Sequence, residues 1–93
     1  MTHQTAYNEF IADFVERHGN NQATRDEAHE WADKIVSTAK GSWSLCLKYA
    51  HNRSLAHDAA NDLCVALMVG WDVFFAEPAF ELASAVIASE FSA

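Results

Sequence analysis

The chain has 93 residues, 51% of them hydrophobic, and 13 acidic side chains against 6 basic ones, for a formal net charge of -7. That length allows one domain, spanning residues 1–93, and that apolar fraction supports a packed core and not a disordered chain. The charge argues against a protein that grips nucleic acid or an anionic membrane through a basic surface of its own.

Alanine, the best helix former, is frequent, and no segment alternates apolar and polar residues. The fold class expected is therefore all-α, a compact bundle of about five helices. The first runs from Thr5 to His18, with Tyr7, Phe10, Ile11, Phe14 and Val15 at the three-and-four spacing of one face, and Gly19 closing it. Thr24-Arg25-Asp26-Glu27 fits a capping box for a second helix with a stripe of Ala28, Trp31, Ala32, Ile35, Val36 and Ala39, closed by Lys40 and Gly41. Ser42 suits the cap of a third helix carrying Trp43, Cys46, Leu47 and Ala50. A break near Asn52 and Ser54 precedes a central helix over roughly 55–76. Its stripe includes Ala56, Ala60, Leu63, Cys64, Leu67 and Met68, and its opposite face turns apolar through Val65, Ala66, Val69 and Val73. A helix apolar all round is buried all round, in a core or against a second copy. Gly70 falls inside this helix. Glu77-Pro78 opens the last helix, Ala79 to about Phe91, which buries Phe80, Ala83, Val86, Ile87 and Phe91.

The polar start from Met1 to Thr5 lacks the pattern of a secretory signal. The longest apolar run, Leu63–Ala76, is interrupted by Asp72 and falls short of the ~20 residues a membrane span needs. Cys46 and Cys64 make no disulfide framework. A cytoplasmic protein is expected, with no membrane partner.

No catalytic or cofactor motif emerges. His29 with Asp33, and His57 with Asn61 or Asp62, share helical faces, but a metal site needs three or four converging ligands. Both cysteines fall on core faces, where thiols behave as small hydrophobes. Three isolated glycines make no phosphate-binding loop. The expectation is a non-enzymatic protein with no cofactor and no metal.

The layout of charge is more telling than its total. No Lys or Arg follows Arg53, whereas Gly41 to His57 has no carboxylate and carries Lys48 and Arg53. Two rows of carboxylates recur at i, i+4, i+7: Glu9, Asp13 and Glu16 on the first helix, and Asp26, Glu30 and Asp33 on the second. Successive members lie ~4.5–6 Å apart along the axis, a crude likeness of a phosphate row. Such rows are ordinarily the solvated side of an amphipathic helix, and Arg17, Arg25 or Lys34 could neutralise them locally. These six residues are nonetheless the candidate contacts with a larger protein or ribonucleoprotein complex that has a basic surface. Occupying that surface would make the protein an inhibitor, in the manner of small acidic phage or mobile-element anti-defence proteins, anti-CRISPR proteins among them. The alternative is a homodimeric structural or regulatory module, with Val65, Val69 and Val73 as its self-association face. A helix-turn-helix reader over Ser42–Arg53 is disfavoured, since six cations spread over the chain cannot neutralise several phosphates. Direct nucleic-acid binding is not expected.

Overall fold

The computed structural model describes residues 2–71 and 77–92, which fold as four helices: α1 (His3–His18), α2 (Gln22–Tyr49), α3 (Arg53–Met68) and α4 (Glu77–Ser92). The three helix starts before α4 share one solution. Thr2, Asn21 and Asn52 are the N-caps, and each side chain accepts the amide proton three residues on, from Thr5, Thr24 and Leu55. Such a cap contributes about 1 kcal/mol over alanine. The capping box expected at Thr24 is thus displaced: Asn21 caps, and Thr24 lies in the first turn, buried. Gly19 ends α1 at φ 117°, a conformation that costs other residues strain, and its amide donates to the Val15 carbonyl.

Helix number is the first correction. The expected second and third helices are one, because α2 passes through Gly41 and Ser42 without a break. A glycine inside a helix costs roughly 1 kcal/mol, which packing can override. Here the stripe Ala28, Ala32, Ile35, Ala39, Ser42 and Cys46 is continuous across Gly41, so a break would interrupt its contact with the core. The Ser42 hydroxyl caps nothing; it is buried and donates to the Thr38 carbonyl at 2.9 Å. With the turn gone, the helix-turn-helix geometry is absent.

The second correction concerns the central helix. α3 stops at Met68, and Gly70, at φ 99°, lies beyond its end. It is buried on one side only, through Ala56, Ala60, Cys64 and Met68, while Leu67 and Val69 are exposed. Residues 72–76, Val73 among them, lie outside the described residues. On α4, Pro78 sits in the first turn as expected, but Phe80 faces solvent and Ala79 and Leu82 are buried in its place. Leu47 of α2 is likewise exposed.

The direction of the helices follows from short connections and long-range contacts. Tyr7 and Asp33 meet across the α1–α2 turn. Trp31 and Trp71, equally far from the Ala50–Asn52 turn, meet with ring centroids 5.7 Å apart and planes tilted by 55°. Arg53, opening α3, donates to the carbonyls of Glu90 and Phe91 at the end of α4, where a cation suits the negative end of the helix dipole. The same guanidinium lies 5.4 Å from the Trp43 ring of α2. The chain therefore runs up, down, up, down. α2 and α4 each pack against all the others, while α1 and α3 barely touch. Extents of 46 × 26 × 17 Å describe a slab two helices deep, whose long axis is set by α2. Eight of the buried apolar residues are alanines (Ala6, Ala28, Ala32, Ala39, Ala56, Ala60, Ala79 and Ala83), which lets helix axes approach toward the ~8 Å end of the usual range.

Candidate interaction surface

The carboxylate rows are carried by α1 and by the first half of α2. Glu9, Glu16, Asp26, Glu30 and Asp33 are exposed, and Asp13 is half-buried. On α1, Asp13 is matched by Arg17 at 2.9 Å, the local i, i+4 neutralisation expected of an ordinary polar face. On α2 the available cations are turned elsewhere. Arg25 donates to Asn20 at 2.6 Å. Lys34 sits over two rings, its Nζ 4.9 Å from the centroid of Trp31 and 4.8 Å from that of Trp71. A cation held over indole faces gains from the ring quadrupoles, so Lys34 is drawn to the tryptophans and away from Glu30, four residues before it. Asp26 accepts only a neutral hydrogen bond, from Gln22 at 2.8 Å. Glu9, Glu16, Asp26 and Glu30 thus have no ion pair among the described residues.

Asp33 has a partner that periodicity could not reveal. The Tyr7 hydroxyl donates to Asp33 Oδ1 at 2.8 Å and lies 3.1 Å from His29 Nδ1. Spacing places Tyr7 on the apolar stripe of α1, and it is indeed half-buried, but its hydroxyl emerges at the α1–α2 seam. Burial, aided by the hydrogen bond to Asp33 and its negative charge, pushes the Tyr7 phenol up to about 12 from 10.0. The folded state therefore keeps its proton where the unfolded chain loses it. Stability from this group is complete below pH 10 and is lost as pH rises through 12. In an alkaline titration, the tyrosinate absorbance that disappears with Tyr7→Phe is expected to have its midpoint near pH 12. A midpoint near 10 for that component would mean that the Tyr7–Asp33 contact is not made.

Tyr7 also shows how the two rows lie. It follows buried Ala6 and turns toward α2, whereas Glu9 and Asp13 precede buried Phe10 and Phe14 and occupy the other flank of α1. At about 100° per residue, Asp26 and Glu30, two residues either side of buried Ala28, point almost directly outward from α2. Each helix thus carries its own row, and the two do not merge into one strip.

The described residues assemble no metal centre. No three His, Cys, Asp or Glu side chains converge there, and no helix is long and apolar enough to cross a membrane. Burial pushes the Cys64 thiol up, a hydrogen bond to Ser42 opposing it, and the thiol donates to the Met68 sulfur at 3.5 Å. A shallow cleft of about 310 Å³ between the start of α1 and the end of α4 is lined by Thr2, His3, Ala85, Ala88, Ser89 and Ser92.

No family model matches the chain, and it matches neither a curated protein nor a solved structure.

Proposed function

We propose that the protein is a small, acidic, non-enzymatic binding module that seats the outward carboxylates of α2 on a basic surface of a larger protein or ribonucleoprotein. The observation that supports this reading is the diversion of Arg25 and Lys34, which leaves Asp26 and Glu30 exposed without a neutralising cation among the described residues. A rigid helix holds these charges at fixed spacing, so a complementary row of Lys or Arg would be met without ordering a flexible segment. Where that basic surface normally takes DNA or RNA, the module acts as an inhibitor by occupying it, which is how a phage or mobile-element anti-defence protein would work in a bacterial cytoplasm.

The test is capture from nuclease-treated bacterial lysate, with retained proteins identified by mass spectrometry and then tested pairwise. Reversing Asp26 and Glu30 together (Asp26→Lys, Glu30→Lys) is expected to abolish binding with circular dichroism unchanged. Reversing Glu9 and Glu16 should weaken it less, since that row lies on a separate face. Binding should fall steeply as salt shortens the screening length from about 10 Å at 0.1 M to about 3 Å at 1 M. A partner retained equally by the Asp26→Lys, Glu30→Lys variant would overturn the reading.

A further inference from the structure

One cation of α2 is held where two elements meet, and the way it is held defines a site. Trp31 stands on the flank of α2 that faces α3, and Trp71 stands three residues past the end of α3. Their ring centroids are 5.7 Å apart and their planes are tilted by 55°. Lys34 Nζ lies 4.9 Å from the first centroid and 4.8 Å from the second, so the ammonium and the two rings form a nearly equilateral triangle. Both tryptophans are half-buried and Lys34 is exposed, so the notch opens to water. Exposed Glu27, one turn before Trp31, and exposed Glu30, one turn before Lys34, put negative charge at its rim. Tilted indole faces beside carboxylates are the parts of an aromatic cage, whose preferred occupant is a quaternary ammonium.

Lys34 shows that the notch holds a cation, but it is a poor match for that place. A primary ammonium is a compact, strongly hydrated charge, and between two rings part of its hydration is lost. It also has another partner within reach. Glu30 stands four residues before it, in the order that favours an i, i+4 pair. Leaving the rings for Glu30 exchanges one exposed attraction for another of the same order. A quaternary ammonium has no N–H to hydrate, so it loses less on entering. Glu27 and Glu30 repel any ligand that carries a carboxylate or phosphate beside its cation. We propose that the Trp31–Trp71 notch is a binding site for a small organic cation with a quaternary ammonium and no anionic group, and that filling it transfers Lys34 to Glu30. The consequence for docking rests on the reading of α2 as an acidic docking row. A filled notch neutralises part of that row, so ligand and partner oppose each other, each lowering the other's affinity by the same factor.

Titration of the intact chain with choline chloride, exchanged against sodium chloride at constant ionic strength and followed by NMR, tests this. The expected result is saturable movement of the Trp31 and Trp71 indole N–H signals, with that of buried Trp43 unmoved. The Lys34 methylene signals, shielded by the two rings in the free protein, should move in step toward those of an ordinary exposed lysine. Lys34→Gln removes the resident cation and should tighten choline about three- to six-fold, the competition expected from one exposed cation–π contact. Trp71→Ala should abolish the response with circular dichroism retained. Should that variant lose helix, the Lys34→Gln comparison decides. Glycine betaine, the same ammonium with a carboxylate attached, should bind more weakly than choline, and phosphatidylcholine vesicles should not bind. Shifts that do not saturate, or an affinity unchanged by Lys34→Gln, overturn the site. Saturation with the Lys34 signals unmoved overturns the transfer to Glu30. Partner capture plays no part in these measurements, so the notch and the docking row fail separately.

Discussion

Phe10→Ala is expected to cost about 3–5 kcal/mol of folding stability, the usual range for truncating a fully buried phenylalanine. Phe10 is among the largest side chains with almost no exposure, and it packs beside Phe14 at a centroid distance of 6.0 Å in a core otherwise rich in alanine. Small neighbours cannot move in to refill the void, so the cavity persists and the cost stays toward the upper end. A domain of this length has a total stability of roughly 5–14 kcal/mol, so the variant loses a large share of it. Thermal and urea denaturation followed by circular dichroism measure this directly. Phe80→Ala, on a ring already 42% exposed, is the matched control and should cost far less. Equal losses for the two would mean that Phe10 is not the packed residue its burial describes.

Ala32→Leu is the second large effect, in the opposite steric sense. Ala32 has no exposure and belongs to the same cluster as Ala28, Ala39, Ala60 and Ala83. Three more carbon atoms at such a contact push α2 away from its neighbours, for about 1–3 kcal/mol of destabilisation. Leucine and alanine have similar helix propensity, so local helix formation contributes little to the loss. Ala23→Leu, on an exposed turn of the same helix, isolates that point and is expected to be nearly neutral. If both variants unfold at the wild-type midpoint, the helices are not held at alanine-limited distance.

Most of the helical architecture was legible in the residues because the buried stripes are periodic. Phe10, Phe14, Ala28, Ala32, Ile35, Ala39, Ala56, Ala60, Val86 and Ile87 all fall where spacing places them. The error at Gly41 came from reading glycine as local punctuation. The stripe continues in phase from Ala39 to Ser42 and Cys46, and that longer-range regularity carries the helix through. The excess burial expected of α3 has a different origin. Hydrophobicity records what a side chain prefers and not whether the fold has an element to cover it, so Leu67 counted as core and Val69 as enclosed although both meet water. The acidic rows could be read from spacing alone. Their placement on different flanks could not, nor could the hydroxyl of Tyr7 on Asp33 or the ammonium of Lys34 over Trp31 and Trp71, because each joins residues far apart in the chain.

The unbroken course of α2 through Gly41 has a consequence for how the protein would sit on a target. Asp26 and Leu45 ride on one rod, nineteen residues apart, which fixes their separation at about 28 Å along the axis. With the acidic half seated on a target, the far half projects from it as a rigid arm and holds Leu45 at that one distance from the contact.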